Sequence, residues 1–122
     1  MTTLDPAAGL SHGDVMDILS RLETTLASRK TADPETSYVA QLHARGLPVI
    51  ARKLGEESIE AVVAALSGDR NELVGEAADV IFHLLVLLAA RDITLDEVLA
   101  ELARREGLSG LDEKASRTAK DT

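Results

Sequence analysis

The sequence contains no cysteine and no tryptophan, and its only phenylalanine and tyrosine are Phe82 and Tyr38. The lack of cysteine excludes a disulfide framework, a thiolate metal site and a cysteine nucleophile. Small β-sandwiches and barrels depend on aromatic and β-branched residues, so the scarcity of aromatics argues against an all-β fold. Alanine and leucine supply most of the 45% apolar share instead, which favours helices.

Basic side chains are also scarce, because 13 of them stand against 21 acidic ones and give a net charge of −8. A protein that binds the bare backbone of a nucleic acid normally has the opposite sign, so we expect no nucleic-acid partner. The N-terminus lacks a basic segment followed by an apolar stretch, and His83 interrupts the longest apolar run. We therefore expect a cytoplasmic protein with no membrane segment, in which that run forms a buried helix.

Helical periodicity and boundary residues divide the chain into helices within one domain. The first helix is predicted to start at a cap formed by Ser11 or Asp14 and to end before a break at residues 31–35. The next ones are predicted at about 35–45, 48–66, 70–90 and 95–105, the last opened by a Thr94–Glu97 capping box. Residues 1–10 and 108–122 are predicted to form a flexible arm and a flexible tail around a domain at 11–107.

The third and fourth predicted helices are separated by only a few residues around Gly68. Such a short link makes consecutive helices antiparallel neighbours. We therefore predict an all-α fold of about five helices, with a central antiparallel helical hairpin in a helical bundle.

Both helices of this hairpin carry polar residues at spacings of three and four, which places each set on one stripe. The two stripes consist of Lys53, Glu56, Glu57 and Glu60 on the third helix and of Glu72, Glu76, Asp79 and His83 on the fourth. Structural ion pairs with Arg52, Lys53 or Arg70 are one interpretation of these acids. His83 is either a hydrogen-bonded core histidine or a ligand.

Antiparallel packing is expected to bring four of the acids together: Glu57, Glu60, Glu76 and Asp79. Four ionised carboxylates repel one another, so the cluster must take up protons, attract basic groups or bind divalent cations. Oxygen ligands without cysteine suit Mg²⁺ or Mn²⁺, and such ions chiefly serve phosphate chemistry. Neither a P-loop nor a Glu-x-x-His di-iron motif is present, so hydrolysis by water activated at a metal ion is the chemistry that remains.

Three segments resemble a known family. The pairs Glu57/Glu60 and Glu76/Asp79 resemble the Glu-x-x-Glu and Glu-x-x-Asp signature of the all-α nucleoside triphosphate pyrophosphohydrolases, the MazG-like superfamily. The runs DPETSYVAQL (33–42), KLGEESIE (53–60) and EAADVIFHLLVLL (76–88) are closer still to the phosphoribosyl-ATP pyrophosphatases of histidine biosynthesis. The resemblance extends over about residues 22–105.

This resemblance implies Mg²⁺-dependent hydrolysis of phosphoribosyl-ATP to phosphoribosyl-AMP and pyrophosphate, with the four acids as metal ligands and catalytic residues. It also implies at least a homodimer, in which each hairpin completes a bundle with partner helices. Glu56 either orients a lysine or the water, or is a solvated surface charge. Lys53 is the first candidate for a phosphate contact, although it could instead pair with Glu57. Further candidates for substrate contacts are Arg29, Lys30, Ser37, Tyr38 and His83. Tyr38 could equally belong to the core, and a lone histidine such as His83 is more often a hydrogen-bonded core residue.

Two other functions remain open at this point. A nucleotide house-cleaning pyrophosphatase would use the same metal site with a different base pocket. A non-catalytic helical oligomerisation module would use the carboxylates only for ion pairs, but the acidic stripe within so apolar a fourth helix argues against it.

Overall fold

The computed structural model describes residues 9–107 and the separate positions 110, 112, 114, 115 and 117. Within 9–107 the chain forms five α-helices and no β-strand, which confirms the predicted all-α class. The helices are α1 (His12–Arg29), α2 (Tyr38–Arg45), α3 (Leu47–Ser67), α4 (Arg70–Ala90) and α5 (Leu95–Arg105). The predicted arm and tail lie largely outside the described residues.

Side-chain caps set the helix starts. Ser11 and Asp14 form a reciprocal capping box at α1, and Thr94 and Glu97 form one at α5. The Asp69 carboxylate accepts the Glu72 N–H at the start of α4. Each of these bonds satisfies a backbone N–H that has no partner within the helix, so the predicted starts of α1, α4 and α5 are confirmed.

The start of α2 differs from the expectation by three residues. The carbonyl of Asp33 accepts the N–H groups of Thr36 and Ser37, so this segment is a turn. Ser37 then caps α2 by accepting the Ala40 N–H. The helix therefore begins at Tyr38, because Asp33 and Ser37 both use their polar groups to hold the turn.

The central hairpin depends on a tight connection between α3 and α4. Gly68 ends α3 in the left-handed conformation (φ 81°), and Asp69 already caps α4. Glycine adopts this backbone conformation without the steric cost of a Cβ atom. The two helices fold back on each other as antiparallel neighbours and form the most extensive helix contact of the described chain.

The hydrophobic core lies where α1 and α2 cover the end of the hairpin that is distant from this turn. Its buried members are Leu26, Val39, Leu42, Ile50, Leu85 and Val86. Since α1 and α2 pack against the first part of α3 and the last part of α4, they leave the half of the hairpin next to the turn uncovered within the described part of the chain.

The apolar run near residues 80–90, which is expected to form a buried helix, is only partly buried. His83, Leu85 and Val86 are buried, whereas Ile81 and Leu84 are exposed. In the N-terminal half of α4, Val74 is exposed as well, and among the described helices α3 forms the most extensive contact with α4. By length and composition α4 also passes as a membrane span, a test that core helices of soluble proteins pass as well.

Candidate active site

The antiparallel register places carboxylates of both hairpin helices together. One oxygen from each of Glu57, Glu76 and Asp79 lies within 4.8 Å of the other two. Glu57 comes from the middle of α3, and Glu76 and Asp79 come from consecutive turns of α4. The Glu57 side chain is only 12% exposed, so it faces the partner helix rather than solvent.

Glu60 completes the cluster from the next turn of α3. It lies close enough to Glu57 and Glu76 to raise the pKa of both side chains. The structure thus brings together the four acids that the sequence predicts.

The electrostatics of the cluster favour proton uptake. Burial, the contact with Glu60 and the charges of Glu60, Glu57 and Asp79 raise the pKa of Glu76 to about 7. Burial, followed by the contacts with Glu60 and the charge of Asp79, also raises the pKa of Glu57. Desolvation and like charges both disfavour the ionised form of a carboxylic acid, so the two effects add.

One oxygen of the cluster has no partner. Oε2 of Glu76 is buried and accepts no hydrogen bond from the described residues. A buried oxygen without a partner is costly, and a cation bound among the acids would supply one. Three converging carboxylates without sulfur or imidazole ligands suit a hard divalent ion. The residues present therefore fit a metal site of this type.

Glu56 points away from the cluster and forms ion pairs on the surface. Its carboxylate lies 3.6 Å from Arg52 Nε and 3.5 Å from Lys53 Nζ. Lys53 also approaches Glu57 at 3.9 Å, as expected for residues four positions apart. The contact with a lysine is present and the side chain is also half exposed, so both roles open for Glu56 stay predictions.

Tyr38 and His83 meet beside the cluster. His83 is buried, and its ring nitrogens contact the Asp79 carbonyl oxygen at 2.8 Å and the Tyr38 hydroxyl at 3.1 Å. Ser37 is buried too, with its hydroxyl committed to capping α2. His83 and Ser37 thus hold structural hydrogen bonds, and their assignment as substrate contacts stays a prediction.

Lys30 lies away from the acids. Its ammonium donates to the Ala89 carbonyl at 3.0 Å and to the Asp92 carboxylate at 3.3 Å, at the C-terminal end of α4. Ten residues of helix separate Ala89 from Asp79, which corresponds to about 15 Å along the axis. The structure therefore does not bring Lys30 to the carboxylates. Arg29, the last residue of α1, precedes it; for both residues a substrate contact stays a prediction.

Two polar features were not anticipated from the sequence. Nε2 of His43 is buried without a hydrogen-bond partner among the described residues. Burial and the nearby charge of Lys30 lower the pKa of this histidine. The Glu23 carboxylate accepts the Leu95 N–H at 2.6 Å and so binds α1 to the first turn of α5. These contacts join residues remote in sequence, and no spacing pattern indicates them.

The hairpin of two helices with its cluster of carboxylates defines the class: an all-α protein with an acidic group that could bind a metal ion. The family model described as phosphoribosyl-ATP pyrophosphohydrolase matches residues 19–106. The chain belongs to this family, and it is a hydrolase that acts on pyrophosphate bonds.

Individual relatives match over almost their whole length. A phosphoribosyl-ATP pyrophosphatase of Erythrobacter litoralis is 67% identical over 102 residues, which cover 84% of this chain and 98% of the relative. The protein of the same name from Novosphingobium aromaticivorans is 63% identical over 109 residues, covering 89% and 99%. That of Dinoroseobacter shibae is 60% identical over 102 residues, covering 84% and 100%.

Proposed function

We propose that this protein hydrolyses phosphoribosyl-ATP to phosphoribosyl-AMP and pyrophosphate with Mg²⁺, the second step of histidine biosynthesis. The observation that carries the proposal is the convergence of Glu57, Glu76 and Asp79 around the unpartnered oxygen of Glu76. The names of the three relatives, which match over nearly their full length, support the substrate.

The acids of the hairpin would hold the ion. Glu57, Glu76 and Asp79 supply three carboxylate oxygens, and Glu60 would join them as the fourth carboxylate. When bound, Mg²⁺ would neutralise phosphate charge and lower the pKa of water, and Mn²⁺ is a chemically reasonable substitute. Binding of the ion requires Glu76 in its ionised form.

Lys53 is the basic side chain best placed for the phosphates. It extends from the turn of α3 before Glu57, and it is held there by Glu56 and Glu57. Its ammonium would compensate negative charge on the triphosphate, and an ion held by the acids would stabilise the charge that develops when water attacks the α–β linkage. Positive charge and a bound cation together allow a protein of net charge −8 to accept an anionic substrate.

The hairpin also presents an apolar face that we assign to a second copy of the chain. On α3 this face consists of Ile59, Val62, Val63 and Leu66, at the spacing of one helical stripe, and on α4 it includes Val74 and Ile81. Leu66 is 83% exposed. Exposed apolar side chains at this density mark an association surface, and a homodimer would bury them in a bundle of four helices. A biosynthetic hydrolase of this kind belongs in the cytoplasm.

The test is release of pyrophosphate from phosphoribosyl-ATP and from a panel of ordinary and damaged nucleotides, with Mg²⁺ and with a chelator. We expect turnover of phosphoribosyl-ATP with Mg²⁺ only. Glu76→Gln should abolish it while leaving the helical circular dichroism intact, because the amide keeps the shape and removes an anionic ligand. Glu72→Gln, the same change one turn earlier on α4, is the matched control and should remain active.

Three results would contradict the proposal. Preference for the panel would indicate a house-cleaning pyrophosphatase. Absence of turnover on every substrate would indicate a non-catalytic module. Full activity of Glu76→Gln would remove Glu76 from the metal ligands.

A further inference from the structure

The imidazole of His83 links the acid-bearing part of α4 to the start of α2. Nδ1 lies 2.8 Å from the carbonyl oxygen of Asp79, and Nε2 lies 3.1 Å from the hydroxyl of Tyr38. His83 is only 6% exposed, and both of its ring nitrogens are used. The two bonds join a residue of the carboxylate cluster to the first residue of α2.

The direction of these bonds follows from the chemistry of the partners. A carbonyl oxygen can only accept, so Nδ1 of His83 donates the proton to Asp79. In the neutral ring Nε2 then carries a lone pair and accepts the proton of the Tyr38 hydroxyl. The helix carbonyl thus fixes the tautomer of His83, and this tautomer makes the Tyr38 hydroxyl the donor of their hydrogen bond.

Aromatic packing holds the same group in place. Tyr38 stacks on Phe82 at 6.4 Å between ring centroids, and His83 meets both rings edge-on, at 5.9 and 5.2 Å. Tyr38 is 46% exposed, so contact with the body of the protein alone would leave it mobile. The hydrogen bond to a buried ring therefore restricts where the phenol lies.

Asp79 itself belongs to the carboxylate cluster, since one of its carboxylate oxygens lies within 4.8 Å of oxygens of Glu57 and Glu76. The hydrogen bonds from Tyr38 through His83 to the Asp79 carbonyl therefore connect the first residue of α2 to a turn of α4 that carries an acid of the site.

We propose that Tyr38 and His83 are a positioning pair, which holds α2 against the acid-bearing turn of α4 so that metal affinity and turnover depend on the hydrogen bond between the two side chains. The activity readout rests on the function proposed above. The metal-binding and spectroscopic readouts do not, since they need only the folded protein and Mg²⁺.

The first test is a double-mutant cycle. Tyr38→Phe removes the hydroxyl and keeps the stacked ring. His83→Asn keeps a donor near the position of Nδ1 and is too short to reach Tyr38. Each single variant should raise the Kd for Mg²⁺ and lower kcat by about fivefold, the factor that one neutral hydrogen bond supplies, with KM within about twofold. The double variant should resemble the single ones, because the second change removes nothing further.

The second test uses the absence of tryptophan. With Tyr38 as the only tyrosine, near-ultraviolet absorption and fluorescence report on this side chain alone. Without metal, His83→Asn should shift the tyrosine absorption band to shorter wavelength and raise the fluorescence, because the phenol loses its acceptor. Thr94→Ala, which removes a helix cap remote from the acids, is the control for reduced stability and should change neither the spectrum nor the Kd.

Additive losses in the cycle, an unchanged tyrosine spectrum in His83→Asn, or an unchanged Kd in Tyr38→Phe would overturn the proposal. If His83→Asn does not fold, Tyr38→Phe at its half-exposed position decides the matter through Kd and kcat. If the wild-type chain binds Mg²⁺ without hydrolysing phosphoribosyl-ATP, the proposed function is wrong. The Kd for Mg²⁺ and the tyrosine spectrum still test the role of Tyr38 and His83 in that case.

Discussion

Glu76 should make metal binding strongly dependent on pH. Its pKa of about 7 in the folded chain lies well above its ordinary value of 4.5. At pH 6 roughly nine-tenths of the Glu76 side chains hold a proton, and at pH 8 roughly one-tenth do. Because a ligand must lose its proton to bind the ion, this residue alone should make Mg²⁺ binding about tenfold weaker at pH 6 than at pH 8.

Calorimetry measures both the affinity for Mg²⁺ and the protons released on binding. Titration with Mg²⁺ in buffers of different ionisation enthalpy should show release of about 0.9 proton from Glu76 at pH 6 and about 0.1 at pH 8. In Glu76→Gln this release should disappear together with most of the affinity, whereas Glu72→Gln should behave as wild type. Equal affinity and no proton release at the two pH values would refute the view that burial and like charges hold a proton in this site.

The same shift affects the stability of the metal-free protein. Between pH 4.5 and about 7 the folded chain keeps a proton that the unfolded chain has lost. The free energy of unfolding should therefore fall as pH rises through this window and become level above it. Glu76→Gln should remove this part of the dependence, and Mg²⁺ should restore stability above pH 7. A wild-type stability that rises through the window would contradict the assignment.

Two further predictions concern assembly and helix capping. Val63→Glu places a charge on the exposed face of α3 and should convert the proposed dimer into a monomer in sedimentation experiments, with helicity retained. A dimer that persists in this variant would mean that the copies associate elsewhere. Thr94→Ala removes the cap of α5 and should lower the free energy of unfolding in urea, at fixed protein concentration, by about 1 kcal/mol with turnover unchanged. Unaltered stability of this variant would show that the cap bond contributes nothing.

The helix boundaries were predictable because local interactions set them. A cap joins residues three positions apart, as in Ser11–Asp14 and Thr94–Glu97, so the pattern is visible in the sequence. The convergence of the acids was predictable for a related reason. The link at Gly68 and Asp69 is so short that it fixes the antiparallel register, and the register determines which turns of α3 and α4 face each other.

Periodicity did not separate Glu56 from Glu57. Both belong to the predicted stripe, yet adjacent helical residues point about 100° apart. Glu57 faces α4, whereas Glu56 turns outward to Arg52 and Lys53. Which side chains of α3 face the interior depends on the helix that packs against it. This packing exists only in the folded chain.

By itself, then, the sequence determined the five helices, the central hairpin and the four acids that meet on it, because all of these follow from short-range spacing and one short link. Only the tertiary structure decided the bond between Tyr38 and His83, the removal of Lys30 to the far end of α4 and the exposure of the apolar face of the hairpin. These features depend on contacts between segments far apart in the chain. Packing fixes their geometry, and a spacing of three or four residues in the sequence cannot predict it.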